Sequence, residues 1–368
     1  MAPTKVGIIG LSASGWAPAA HLPYLLRSPA YEITAICNSS VASSQAAIEK
    51  YSLPSSTKAY GDPEDIAKDA SVDLVVCAVR VDRHLATISP SLKAGKDVFV
   101  EWPLGASLTE ARELLRLKNE GGVKRAIVGL QARQAPIIKA VKSLVRSGRV
   151  GKVLSSTWTG YAVNGGESVD QSLEHMGRRE VGANLVSIHF GHAFDYVQFG
   201  YGFQTPPKTL LANRRPFVKM LDHNGRTVEE VHRKTSDDTI FLHGTLSNDS
   251  IPVSFALRGG MPFPSTPGLE WRIYGEEGEV RVTAAGIFLQ IGYADMKIQV
   301  AKFGGVVEEV QVKGDEFDAE GYGLVSKNVG RIYRCLERGE REGLCGFDDA
   351  VQRHELIDEM YRENGIEV

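Results

Sequence analysis

Short apolar runs and segments with apolar positions at helical spacing alternate through the first third of the chain. Residues 6–10 form a compact apolar run, 17–27 read as a helix, and 32–37 form a β-branched run that ends in polar Asn38, Ser39 and Ser40. This is one β-α-β unit. A helix over 41–51, a short strand at 58–60, a helix over 63–70 and strands at 72–79 and 97–101 continue the alternation and predict a parallel sheet. Right-handed crossovers place the loops after its strands along one edge. From about residue 153 the texture changes. Segments 154–161, 240–246, 251–257, 270–274 and 279–282 alternate apolar and polar positions between turn signals, which predicts a mainly antiparallel sheet. Gly275 to Gly278 marks a hairpin, and 325–338 and 347–362 read as closing helices.

The loop between the first strand and helix reads Gly10-Leu11-Ser12-Ala13-Ser14-Gly15. Gly10 permits a tight turn, Gly15 permits close approach of helix and strand, and the helix N-terminus offers N–H groups and a positive dipole end to a pyrophosphate. Ser12 stands where the dinucleotide fingerprint has its middle glycine. A strand-turn-helix of a flavodoxin-like fold would carry a similar loop without a dinucleotide. The expected architecture is α/β over residues 1–125, a Rossmann dinucleotide-binding domain. An α+β substrate-binding and oligomerisation domain over 126–368 follows, with closing helices that pack back on the first domain. At the end of the second strand, Asn38, Ser39 and Ser40 place no carboxylate against a 2′-phosphate, which tilts the expected cofactor toward NADP over NAD. No arginine follows to pair that phosphate, so either nucleotide fits.

Composition narrows the function classes. A chain of 368 residues has the size of about two domains, and its formal net charge of -3 gives no reason to expect nucleic acid. The longest apolar runs, such as 74–79, are far shorter than the roughly 20 residues that span a bilayer, and residues 1–9 lack a secretory pattern. The expectation is a cytoplasmic protein with a small-molecule substrate, no membrane and no nucleic acid. Cys37, Cys77, Cys335 and Cys345 show neither metal spacing nor a disulfide framework and read as reduced packing residues.

The ordered segments 6–15, 73–84, 94–104, 133–136 and 147–153 resemble the glucose-fructose oxidoreductase, inositol dehydrogenase and rhizopine-catabolism (Gfo/Idh/MocA) family over nearly the whole chain. Gly15-Trp16, Glu101-Trp102 and residues 130–133 are most similar to the branch holding a fungal galactose-regulon repressor. The resemblance implies a Rossmann domain and an open-faced antiparallel sheet that forms the interface of a homodimer or larger homo-oligomer. It also implies cofactor contacts from Gly10, Ser12, Ala13, Gly15, Trp16 and residues 38–40, joined by Val79, His84, Glu101 and Trp102. The departures bear on chemistry. Family dehydrogenases carry Glu-Lys-Pro where this chain has Glu101-Trp102-Pro103, and their active-site aspartate falls at Ile188, although His192 and Asp195 are retained. Arg80 and Val81 replace a Pro-Asn pair.

Hydride transfer at carbon needs a proton to move on the attached oxygen or nitrogen, and histidine titrates in the right range. His192 is the first candidate, and His189, three residues earlier, would face the same cleft on a helix. Tyr161, at the end of a strand before Gly165-Gly166, is a candidate proton donor, and Arg133 matches a family position near the site. Each also has a plain packing reading. Residues 174–180 would either bring a cation over a substrate carboxylate or carry solvated loop charge. Trp102 offers a flat face to nicotinamide or to a substrate less polar than a sugar. The first reading is an NAD(P)-dependent oxidoreductase acting on a C–OH, C=O or C=N centre. The alternatives are a non-catalytic nucleotide-binding regulator and a redox-neutral isomerase or lyase. The apparent lack of long insertions for partner contacts favours an enzyme.

Overall fold

The computed structural model describes residues 2–13, 15–198, 202–318 and 321–367, so Ser14 of the glycine loop lies outside the described residues. The chain divides by contact into two units, Met1–Gln134 with Asp315–His354, and Ala135–Gly314 with Glu355–Val368.

In the first unit the parallel strands are β1 (Thr4–Ile9), β2 (Tyr31–Cys37), β3 (Lys58–Tyr60), β4 (Leu74–Cys77), β5 (Asp97–Val100) and β6 (Ala126–Val128). They lie in the order β6-β5-β4-β1-β2-β3, and a short strand at Cys345–Gly346 pairs antiparallel with β6 at the edge. Their apolar runs are continuous because helices cover both faces of such a sheet; Val6, Ile8, Val75, Val76, Val98 and Phe99 are all fully buried. The strand order reverses at β1, which brings the loops after β1 and β4 side by side as the sheet's ligand-binding crevice. The expected helix over 17–27 is instead two short ones, α1 (Ala17–Ala20) and α2 (Leu22–Leu25). Pro23 has no N–H to donate to the carbonyl of Ala19, so the helical ladder breaks at His21. Four helices follow between the strands: α3 (Val41–Lys50), α4 (Pro63–Lys68), α5 (His84–Lys93) and α6 (Leu108–Glu120).

The second unit starts with α7 (Pro136–Arg146) and is organised by two sheets. Its strands are β7 (Val153–Ala162), β8 (Ser168–Asp170), β9 (Lys208–Ala212), β10 (Phe217–Leu221), β11 (Thr227–Arg233), β12 (Thr239–Thr245), β13 (Pro252–Gly259), β14 (Leu269–Gly275), β15 (Gly278–Ala284), β16 (Lys297–Lys302) and β17 (Val307–Val310). Eight of them form one sheet in the order β17-β16-β15-β14-β7-β13-β12-β9, and β11-β10-β8 form a small second sheet. All pairs in the large sheet are antiparallel except β7 with β13, and the hairpin at Gly275 to Gly278 joins β14 to β15. One face is packed by a wide π turn at Leu185–Phe190 and the helix α8 (Gly191–Val197). Phe190 and Phe194 meet Phe255 edge-on, and the Trp158 indole donates to the Tyr196 hydroxyl at 3.1 Å. The chain closes with α9 (Leu324–Arg338) and α10 (Phe347–Glu363). No helix among the described residues is long and apolar enough to cross a membrane, none of their His, Cys, Asp or Glu groups is placed to hold a metal, and all four cysteines are buried thiols outside any disulfide.

Candidate functional site

The β1 loop is shaped by backbone demands. Gly10 has φ +96°, and a Cβ there would lie 2.7 Å from Val79 Cγ1 and 2.8 Å from the Ala78 carbonyl oxygen, so no side chain fits. Its N–H donates to the Cys37 carbonyl at 3.0 Å, tying the turn to β2. A Cβ at Gly15 would meet Ser12 Oγ at 2.6 Å; the hydroxyl of Ser12 occupies space next to the missing side chain. Ser12 and Ala13 are exposed. The first turn beyond them is thinner in donors than an uninterrupted helix would supply, because Pro18 sits within its first two positions. Trp16 caps that turn, and its indole N–H is buried without a hydrogen-bond partner. An orphaned donor beside a glycine cradle fits a phosphate-bearing ligand.

At the end of β2, Asn38 is a staple. Its Nδ2 donates to the carbonyls of Leu11 and Ser43, both at 3.1 Å, joining the glycine loop to α3, while its Oδ1 is buried without a partner. Ser40 is spent on capping α3, accepting from Ser43 N at 3.1 Å, and Ser39 is exposed. Sequence reasoning passed over two neighbours here. The Tyr51 hydroxyl donates to the Ser12 carbonyl at 3.4 Å, and Asp62 caps α4 in the loop whose Gly61 packs against Ser40.

The two loops that follow β4 and β5 are locked together. His84 is buried, with Nε2 3.1 Å from the Val79 carbonyl and Nδ1 3.3 Å from that of Leu104, and burial pushes its pKa down. It braces Val79 from behind. Arg80, at the altered family position, is held in a two-point ion pair by Asp82. Glu101 Oε1 accepts from His21 Nε2 at 2.8 Å, and His21 Nδ1 accepts from the Tyr333 hydroxyl at 2.7 Å. Gly129 leaves room for that carboxylate, since a Cβ there would sit 2.7 Å from Glu101 Oε2. His21 and Tyr333 were not anticipated; the one available signal was a histidine inside the apolar segment 19–22. Trp102 is only 5% exposed and rests against the His354 ring at 4.9 Å between centroids, so its indole is already engaged within the first unit. Arg133 likewise serves the fold, donating to Asp349 Oδ2 at 2.7 Å and to the Leu344 carbonyl at 3.3 Å. That arginine is bound to the chain's own carboxylate, contrary to the expectation of a substrate contact.

In the second unit His189 and His192 are both buried. Burial lowers the pKa of His189 to about 4 and that of His192 to about 3, with the nearby Asp195 carboxylate pulling the latter weakly upward. Both imidazoles are therefore neutral at physiological pH. The Nδ1 of each meets no partner at hydrogen-bonding geometry, and His189 Nε2 lies 3.4 Å from Asn164 Nδ2. The expected ordinary helix is a π turn running into α8, so the three-residue spacing does not by itself set both rings on one stripe. Tyr161 does not join them. Along β7 the alternation buries Trp158 and Ala162 toward α8, which turns Tyr161 to the opposite face, where the Arg258 guanidinium lies 4.5 Å above its ring. The charges at 174–180 are paired: Arg178 with Glu174 at 3.3 Å and Arg179 with Asp237 at 3.2 Å.

Comparison with known proteins agrees with this geometry. The oxidoreductase family with an NAD-binding Rossmann fold matches residues 4–130, and the Gal80p C-terminal domain matches residues 136–284. The dehydrogenase aclE of Aspergillus oryzae is 31% identical across 97% of this chain and 95% of its own length. The galactose/lactose metabolism regulatory protein GAL80 of Saccharomyces cerevisiae is 27% identical across 99% and 93%. The crystal structure of a super-repressor mutant of Gal80p from Saccharomyces cerevisiae superposes with a TM-score of 0.89 at 26% identity, covering 99% of this chain and 96% of that one. Relatives of both kinds, dehydrogenase and regulator, thus span the chain end to end. With its glycine cradle, its parallel sheet and its C-terminal antiparallel domain, the chain belongs to the Gfo/Idh/MocA oxidoreductase family.

Proposed function

We propose that this protein is an NAD(P)-dependent oxidoreductase acting on a C–OH, C=O or C=N centre of a small molecule, with an active site that works without the family's lysine and aspartate. The observation that carries this reading is His192, a buried neutral imidazole kept at the family's histidine position although Trp102 and Ile188 replace its usual companions. A bound dinucleotide supplies a hydride donor or acceptor at its nicotinamide. Trp16 and the first turn of α1 hold its pyrophosphate, Asn38 keeps that loop in register with β2, and the absence of a carboxylate at 38–40 admits NADP as well as NAD. His84 and the His21–Glu101 pair hold the loops beside it. A neutral imidazole N–H of His192 donates a hydrogen bond to the substrate oxygen and polarises it, a role that needs no imidazolium. Trp102 has no charge to contribute.

The test mixes purified protein with NADH or NADPH and a panel of carbonyl and imine compounds and follows loss of the reduced nicotinamide. Turnover is expected, and His192→Ala is expected to lower it about 100-fold while cofactor affinity holds. An unchanged rate in that variant removes His192 from the chemistry. Tight cofactor binding with no turnover across the panel favours the second reading, a nucleotide-binding regulator, which the end-to-end similarity to GAL80 supports. The open face of the large sheet carries cross-strand Leu210 and Phe241 and the adjacent aromatic pair Tyr274 and Phe303, all exposed, and we assign it to a homo-oligomer interface. Light scattering of the purified protein tests that assignment: a monomer at every concentration rejects it.

A further inference from the structure

The second unit contains a cavity of about 260 Å³ walled by the loop after β7, the turn at Gln171–Gly177, β10 and the π turn that carries His189. Its apolar lining includes Leu173, Met176, Val218 and Leu221. Its polar lining includes His189 and Asn164, the only close pairing between them being the long 3.4 Å contact from Asn164 Nδ2 to His189 Nε2. Of the charged groups at the wall, Lys234 and Asp237 are matched inside the protein, and the Asp170 carboxylate accepts from the N–H and hydroxyl of Ser172. Lys234 Nζ donates to Asp238 Oδ2 and to the Ser236 carbonyl, each at 3.0 Å, and the buried Asp237 carboxylate faces Arg179. An anion would have to take Lys234 from Asp238 in the presence of two further carboxylates, and a cation would find at Asp170 only a partly exposed carboxylate, a weak partner. A polyol would leave several hydroxyls unpaired against leucine, methionine and valine. The neutral polar groups that remain are the His189 imidazole and the Asn164 amide, joined to each other by that long contact, and each is of a kind that exchanges one hydrogen bond with a hydroxyl or an amide.

We infer that this cavity binds a neutral, mainly apolar molecule of about one ring that bears a single hydroxyl or amide, with His189 and Asn164 reading that group and Leu173, Met176, Val218 and Leu221 enclosing the ring. The site is complete within the second unit and needs no cofactor, so its test is independent of hydride transfer. Phenol and benzamide are the probes, with benzene as the apolar control, benzoate and benzylamine as charged controls and glucose as the polyol. Each is titrated into the full chain without nucleotide by calorimetry and by ligand-observed saturation-transfer NMR.

Phenol and benzamide are expected to bind with dissociation constants on the order of 1 mM, as fits ligands of so few atoms. Benzene is expected to bind at least threefold more weakly, and the charged compounds and glucose at least tenfold. Leu173→Trp, a substitution at a partly exposed wall residue, is expected to fill the cavity and remove phenol binding while the fold persists by circular dichroism. His189→Phe keeps a ring of similar volume and is expected to reduce phenol affinity to that of benzene. Absence of binding by both phenol and benzamide, equal affinity for phenol and glucose, or unchanged phenol affinity in folded Leu173→Trp overturns the inference. Loss of turnover with these binding results intact would count against the oxidoreductase reading alone.

Discussion

The two candidate regions treat their polar side chains in opposite ways. In the first unit nearly every chemically suggestive group beside the crevice is bound to another part of the same unit: Arg133 to Asp349, Arg80 to Asp82, His84 to two carbonyls, Glu101 to His21. What remains for a nucleotide is backbone shape, a short helix end and the Trp16 indole. In the second unit His189 and His192 keep ring nitrogens without partners inside a buried setting. A holding site needs rigidity, and internal hydrogen bonds supply it; a reacting or recognising site needs hydrogen-bonding capacity left over. The contrast fits the proposed division of labour, with cofactor retention in the first region and chemistry in the second.

The largest test of that contrast is Gly10→Ala. The added Cβ meets Val79 and the Ala78 carbonyl at a backbone angle alanine rarely adopts, so nucleotide affinity measured by fluorescence titration should fall at least about 100-fold, with ligand binding in the second unit unchanged. Preserved affinity would mean that the glycine loop is not the nucleotide site. Next comes His21→Ala, which strands the Glu101 carboxylate and the Tyr333 hydroxyl; unfolding by urea should show a loss of about 3 kcal/mol. Tyr333→Phe removes only one end of the chain of hydrogen bonds and should lose about 1 kcal/mol. Equal effects from the two would reject the idea that His21 braces the carboxylate.

A smaller effect is expected from pH. Burial lowers the folded-state pKa of His192 and His354 to about 3 and of His189 to about 4, from 6.5. The unfolded chain therefore binds more protons between those values. Stability is complete above pH 6.5 and falls as the pH drops through that window, by about 1 kcal/mol per pH unit for each histidine. His192→Gln should flatten the urea-midpoint profile between pH 6.5 and 4 by one such increment, and an unaltered slope would show that His192 is already charged in the folded state. The smallest effect is expected at Tyr161. On the face away from α8, under Arg258, Tyr161→Phe should leave turnover within twofold of the parent, and a large loss of rate would place its hydroxyl in the reaction after all.

Where sequence reasoning succeeded, the governing forces were local. Strands β1–β5 of the parallel sheet, β7 and β12–β15 of the large sheet, the hairpin at Gly275 to Gly278 and the left-handed turn at Gly10 follow from side-chain periodicity and from what a missing Cβ allows, whereas β8–β11, β16 and β17, the whole small sheet among them, were not anticipated. Even the misplaced helix at 17–27 had a local cause in Pro23, visible in the sequence but outweighed there by the apolar spacing. The family resemblance, built on ordered motifs, likewise anticipated the oxidoreductase family and its Rossmann fold.

The roles of the candidate side chains were another matter. His21 finds Glu101 from 80 residues away and Tyr333 from 312, and Arg133 finds Asp349 across 216. Whether Tyr161 faces α8 or turns away depends on which side of β7 receives the helix. By itself the sequence determined the elements of the parallel sheet, the antiparallel character of the second domain and the glycine cradle, because each depends on residues a few positions apart. Only the tertiary structure decided which polar groups are spent on one another and which are left available, because burial and hydrogen-bond partners are set by segments that meet only once the chain has packed.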